Sequence, residues 1–217
     1  MLSMFECDDV GEVKKYLGCR VERNLEKGEV RLTQPVILQS FEDEFDLPQG
    51  IKMVSTPAIA GTVLNPDVNE ANVIGPSAHG KYRTGVGKLL HVTRWSRPEI
   101  WNAVRELTRA VKGPSQNHYA AMERVMKYCV DTPRRGWLLK PNRKWDGKSN
   151  LKFRVSGRSD SDYAKCPATR RSVSGHNVRL EGVVVICKSG MQRATTLPVT
   201  EAETVAAVTY IQDTMFV

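Results

Sequence analysis

The chain has 217 residues, 41% of them hydrophobic and 26% charged, an ordinary globular composition with room for one or two domains. Its formal net charge of +8 is unevenly spread: residues 1–50 hold eleven acids and six bases, whereas residues 134–193 hold fifteen bases and four acids, an excess that suits a polyanion or a solubilising surface. No apolar run approaches the roughly 20 residues needed to span a bilayer, and Met1 to Glu6 lacks the basic and apolar segments of a signal peptide, so neither a membrane partner nor secretion is predicted.

In chain order, residues 16–34 read as a strand pair, Tyr16–Val21 and Val30–Leu32 around a turn at Asn24–Gly28. Gln34–Phe45 reads as a helix with Ile37, Leu38, Phe41 and Phe45 on one face. Residues 48–80, with Pro48, Pro57, Pro66, Gly75 and Pro76, read as loop. Two helices follow. One starts at Pro98, carries Ile100, Ala103, Val104, Leu107 and Val111, and ends at Gly113-Pro114. The other is capped by Ser115, carries Ala121, Met122, Val125 and Cys129, and closes at Thr132-Pro133. The polar stretch Lys140–Asn150 reads as a domain boundary. Beyond it the pattern predicts strands at Leu151–Ser156, Ser172–Leu180 and Val183–Lys188, then a helix from Thr200 with Ala202, Val205, Ala206, Val208, Ile211 and Met215 on its apolar side. That helix stops in mid-pattern at Phe216-Val217, which predicts a truncated product.

Chemistry-bearing motifs are few. Ser159-Asp160-Ser161-Asp162 sits at the end of the first of these strands, where alternate residues share a face. Two carboxylates so placed fit a divalent cation; equally they fit an Asp-rich turn leaving a strand, which the motif in isolation favours. Thr200-Glu201-Ala202-Glu203 reads as a capping box, which explains Glu203 without chemistry, although a carboxylate there could also face Asp160. Gly80 to Lys88 is not a phosphate loop, because Tyr82 and Leu89 stand where Gly and Ser or Thr are required. The four histidines show no paired ligand spacing, and no G-x-S-x-G is present. Cys7, Cys19, Cys129, Cys166 and Cys187 never fall at C-x-x-C spacing, which fits free thiols in a reducing, intracellular compartment, cytoplasmic or nuclear.

The order of the motifs carries more than any one of them. Asp9 to Gly18, Ser55-Thr56-Pro57, Tyr82-Arg83 through Gly85 to Leu90, Ser96-Arg97-Pro98-Glu99-Ile100, Pro114, His118, Arg124-Val125, Ser159 to Ala164, Arg170 to Gly175, Lys188-Ser189, Gln192 and Thr200 to Glu203 resemble, in register and in order, stretches of copia-type retrotransposon Pol polyproteins. The resemblance spans nearly the whole chain. It implies an α+β fold: the end of a reverse-transcriptase palm with a primer-grip-like hairpin (1–56), a helical thumb and tether (57–145), and the opening half of a ribonuclease H-like α/β domain (151–217), three antiparallel strands plus one helix.

It also implies roles. Asp160 and Glu203 match the first two ribonuclease H carboxylates, catalytic and metal-binding, with Asp162 a further metal candidate. Arg143, Lys144, Arg170, Arg171, Lys188 and Gln192 are the candidate nucleic-acid contacts. The intact family enzyme uses Mg²⁺ or Mn²⁺, whereas this chain is expected to hold no metal stably. The paired polymerase aspartates would lie before residue 1 and the later ribonuclease H aspartates beyond residue 217. Arg158, Cys187, Thr204 and Pro198 depart from the family pattern. The expectation is a fragment that binds an RNA–DNA hybrid or DNA duplex without turnover and self-associates through an open sheet edge. The alternatives are a hydrolase completed by a partner chain, and an unrelated small basic α/β module that binds nucleic acid.

Overall fold

A computed structural model describes residues 11–47, 53–61, 64, 72–143, 146–148, 150 and 152–217. Among them the chain is mixed α+β, with two antiparallel sheets and five α-helices. The first sheet has the order β1 (Lys15–Tyr16), β2 (Cys19–Asn24), β3 (Glu29–Thr33), β4 (Trp137–Leu139). The predicted strand Tyr16–Val21 is in fact two strands, because Leu17 and Gly18 take positive φ values of 47° and 80° and reverse the chain between them. The turn predicted at Asn24–Gly28 is present, with Gly28 at φ 61°. β4 has no counterpart in the sequence reading; its three residues are too few to show a period, yet Leu32 pairs with Trp137 and Val30 with Leu139.

The helical layer consists of α1 (Pro35–Glu44), α2 (Pro76–Trp95), a 3-10 turn at Pro98–Ile100, α3 (Trp101–Thr108) and α4 (Gln116–Asp131). Its core is one cluster including Leu38, Phe41, Tyr82, Leu89, Leu107 and Met126. Tyr82 is fully buried with its hydroxyl donating to Leu107 O at 2.8 Å, so the ring enters the core without stranding its polar atom. The expected loop through residue 80 is corrected at its end, because α2 starts at Pro76. Its glycines Gly80, Gly85 and Gly87 hide it from a propensity reading. Gly85 is required there, since a Cβ at that position would lie 2.4 Å from Met122 Sδ and 2.7 Å from Met126 Cε of α4. Ser115 caps α4 as predicted, its hydroxyl 2.8 Å from His118 Nδ1.

Arg97 joins these helices. It is 1% exposed and sits between the end of α2 and the 3-10 turn. Its Nε donates to Glu99 Oε1 at 2.6 Å, its NH2 to Thr132 Oγ1 at 2.7 Å, and its NH1 to the carbonyls of Cys129 and Thr132 at 3.3 Å each. The guanidinium also lies 5.1 Å from the centre of the Tyr128 ring. It therefore gives a second, charged donor to two carbonyls at the C-terminus of α4, which also accept the backbone N–H groups of Thr132 and Arg135. Beside it, Ser96 Oγ donates to the buried Gln34 side chain at 2.7 Å, fixing the start of α1 to the end of α2.

The second sheet has the order β5 (Val155–Asp162), β6 (Val173–Leu180), β7 (Val183–Met191), and α5 (Val199–Thr214) lies across β5 and β6. This is the expected arrangement of three antiparallel strands and a helix. Two placements differ. β5 begins at Val155 rather than Leu151, a residue outside the described ones, so the Ser-Asp motif lies inside the strand and not beyond its end. α5 begins at Val199 with Pro198 at its cap, so Thr200 does not cap it; Glu201 instead accepts a hydrogen bond from Leu197 N at 3.2 Å. Two indoles tie the second sheet to the rest of the chain: Trp101 Nε1 of α3 donates to Ser189 O at 2.9 Å and Trp137 Nε1 of β4 to Val184 O at 2.7 Å.

Replacing Arg97 with alanine would remove the charged donor from those α4 carbonyls, from Thr132 Oγ1 and from Glu99. Hydrogen bonds to a charged group are worth about 1.5–3 kcal/mol each. Urea unfolding of Arg97→Ala is expected to show a loss of roughly 3 kcal/mol, with Arg97→Lys recovering only part because an ammonium lacks the planar fork.

Candidate functional site

β5 alternates between two environments. Arg158, Asp160 and Asp162 are exposed on one face, while Ser159 and Ser161 are half-buried on the other, toward α5. Glu203, in the first turns of α5, accepts a hydrogen bond from Ser161 Oγ at 2.9 Å. The two residues matched to metal ligands therefore lie on different sides of β5: Glu203 of α5 is held on the helix side by Ser161, and Asp160, the neighbouring strand residue, faces away from it. Asp162 shares the face of Asp160 and pairs with Lys165 at 2.9 Å. Among the described residues no three His, Cys, Asp or Glu side chains come together as a metal site. The donor set as arranged does not fit a pair of divalent cations, which needs several carboxylates converging on ions about 3.5–4 Å apart.

The helix face of the sheet has its own polar cluster. His176 Nε2 lies 2.6 Å from Asp213 Oδ2 and Lys188 Nζ lies 2.8 Å from Asp213 Oδ1. Burial raises the Asp213 carboxyl, but the hydrogen bonds from Lys188 and His176 outweigh it and hold the group below the ordinary carboxylate value. Asp213 is thus a clamp between α5 and the sheet, and Lys188 is engaged with it.

The other candidate nucleic-acid contacts divide sharply. Gln192 is 5% exposed, and its amide donates to Ser174 Oγ at 3.0 Å and Ala202 O at 2.9 Å; it fastens α5 to the sheet and offers nothing to a phosphate. Arg143 grips Glu181 with both arms of its fork, Nε to Oε2 at 2.8 Å, and also donates to Lys152 O at 2.8 Å. Glu181 occupies the β6–β7 turn at φ 50°, followed by Gly182 at φ 83°. A Cβ at Gly182 would lie 2.4 Å from the Asn142 side chain, and Asn142 N donates to Glu181 O at 2.8 Å. The expected boundary segment is thus stapled, near Arg143, to the second sheet. Lys144 lies outside the described residues.

Arg170 and Arg171 are exposed on the β5–β6 loop. That loop is tied to the segment after β7 by Thr195 Oγ1 donating to Thr169 O at 3.1 Å and by Gln192 N donating to Ser172 O at 2.9 Å. The second segment carries exposed Arg193, which the sequence reading missed because no motif contains it. Arg170, Arg171 and Arg193 therefore belong to one surface of neighbouring loops.

The Arg143 hydrogen bonds and the Arg154 backbone N–H lower the Glu181 carboxyl to about 2. A depressed carboxylate stabilises the fold above its unfolded value, about 4.3, and that contribution fades as pH falls from there toward about 2. In Arg143→Met, acid unfolding is expected to begin at higher pH than in the parent; identical acid midpoints would refute the staple.

No family profile matches the chain, and no solved structure does. Among curated proteins, the retrovirus-related Pol polyprotein from transposon TNT 1-94 of Nicotiana tabacum is 26% identical over 205 residues, covering 94% of this chain. The retrovirus-related Pol polyprotein from transposon RE1 of Arabidopsis thaliana is 30% identical over 123 residues, covering 57%. The secreted RxLR effector protein 161 of Plasmopara viticola is 32% identical over 125 residues, covering 58% of this chain and 82% of that protein. The chain spans 15% of the tobacco polyprotein and 8% of the RE1 polyprotein.

Proposed function

We propose that this chain, a member of the copia-type retrotransposon Pol polyproteins, is a nucleic-acid-holding portion of one: the end of a reverse transcriptase with its thumb and tether, residues 1–145, joined to the opening strands and helix of a ribonuclease H-like unit, residues 151–217. Its ligand is an RNA–DNA hybrid or DNA duplex, gripped by the phosphate backbone without regard to sequence. The observation that carries this reading is the exposed arginine surface of Arg170, Arg171 and Arg193 on two loops tied together at one end of the second sheet. These three guanidiniums enter no ion pair among the described residues, and exposed guanidiniums suit phosphates, which accept their forked donors.

The same portion holds its ligand without cutting it. Phosphodiester hydrolysis by this family's chemistry needs carboxylates converging on metal ions, and Asp160 and Glu203 diverge across β5. No helix among the described residues is long and apolar enough to cross a membrane.

Binding of a labelled RNA–DNA hybrid should weaken steeply between about 50 and 200 mM salt, because neutralised phosphates release counterions. Reversing the charge at Arg170, Arg171 and Arg193 together should cost at least about tenfold in affinity at low salt and flatten the salt slope. The hybrid should stay intact with Mg²⁺. Absence of binding at low salt defeats the reading; metal-dependent cleavage abolished by Asp160→Asn would favour a working hydrolase instead.

A further inference from the structure

The arginine surface carries one side chain that charge does not explain. Leu197, in the segment between β7 and α5, is 85% exposed. Exposure on that scale is ordinary in a loose loop, yet here the backbone is fixed residue by residue. Thr195 Oγ1 donates to Thr169 O at 3.1 Å. Thr196 is buried, its hydroxyl 3.4 Å from Ser172 Oγ. Leu197 N donates to Glu201 Oε2 at 3.2 Å, and Leu197 O accepts the Tyr163 hydroxyl. Pro198 follows at φ −86°, a torsion its ring restrains. Both backbone polar groups of Leu197 are therefore occupied within the protein, and its side chain is held outward.

These tethers run to the β5–β6 loop, which carries Arg170 and Arg171, and exposed Arg193 lies four residues before Leu197. One apolar side chain and three guanidiniums thus share one surface. The carboxylates beside them are engaged, Glu201 with Leu197 N and Asp162 with Lys165.

We propose that Leu197 packs on the outer face of a terminal base pair while the arginines hold the flanking phosphates, so that the ligand is a hybrid or duplex offering an end. The inference rests on the phosphate-holding reading above and adds to it which part of the nucleic acid is held. A phosphate backbone has nothing to offer an isobutyl group; bases do, and leucine is among the apolar side chains that enter base stacks. Opening an internal base step costs stacking, and burying a single leucine returns no more than that cost. The outer face of a terminal pair is already unstacked, so contact there carries no such cost. Every base presents a face of this kind, so the contact is indifferent to sequence.

Two ligands with the same RNA–DNA stem, one blunt and one closed at both ends by stacked tetraloops, test the inference on the whole 217-residue chain. The parent should hold the blunt ligand about fivefold tighter or more. Leu197→Asn should remove that preference by weakening the blunt ligand to the level of the closed one, without shifting the thermal midpoint. Leu197→Met, which keeps the apolar body, should retain the preference. Reversing Arg170, Arg171 and Arg193 together should weaken both ligands. A parent that binds both ligands equally overturns the inference and leaves the phosphate-holding reading standing. A Leu197→Asn variant that keeps the preference overturns it too, and so does one that weakens both ligands alike, which would assign Leu197 to an internal step. Failure of the parent to bind either ligand overturns both readings.

Discussion

A guanidinium cannot be left bare inside a protein, and Arg97 meets that constraint by collecting the loose ends of the helical layer. Three helices end or begin around it: α2 terminates beside it, the 3-10 turn into α3 starts with the next residue, and α4 supplies two carbonyls and a threonine hydroxyl. Neighbouring Ser96 brings in the start of α1 through Gln34. Apolar packing alone would hold these helices with much freedom to slide; fixed donor directions remove it. The position of α3 then matters downstream, because Trp101 at its first turn is one of the two indoles that hold β7. A buried charge in the helical layer thus helps to place the second sheet.

Much of this architecture could be read from periodicity. The β2–β3 hairpin, α1, α4, β6, β7 and α5 all show a clear alternation or a 3.6-residue stripe, and each appears close to its expected place. What stayed hidden has physical causes. α2 contains three glycines, and its first residues read as loop while the rest shows no helix signal, yet Gly85 is there so that α4 can approach. β4 is three residues long and is a strand only because β3 offers it an edge. β5 starts later than expected because hydrophobic alternation at residues 151–155 stands out more than the polar alternation that follows, and in an edge strand the polar part is the part that pairs.

The candidate site was legible in its residues and not in its geometry. The motifs around Asp160 and Glu203 are plain, but which of them meet depends on the phase of one strand, where a single step along the chain reverses the face. The structure gives Glu203 to Ser161 rather than to Asp160. The capping reading of Thr200 to Glu203 likewise fails by two residues, since Pro198 stands at the cap and Glu201 closes the helix start instead. The nucleic-acid residues were chosen for charge and motif alone, and neither reveals that Gln192 is buried or that Arg143 is already paired.

That last distinction bears on how a basic excess should be weighed. Net charge counts every arginine alike, but a guanidinium committed to an internal carboxylate contributes little to holding a polyanion: its donors are occupied, and its partner's negative charge cancels its field beyond a few ångströms. Arg97, Arg105, Arg109 and Arg143 are all of this kind, paired with Glu99, Glu106 and Glu181. Lys188 and Lys165 are drawn to Asp213 and Asp162. The exposed arginines without an ion pair among the described residues include Arg170, Arg171 and Arg193 on adjoining loops, so the number of uncommitted charges is smaller than the sequence tally of the basic stretch implies. These three arginines lie on loops whose tethers to one another are hydrogen bonds from Thr195 and Gln192, so the buried amide of Gln192, which touches no ligand, still helps to set where the three charges stand.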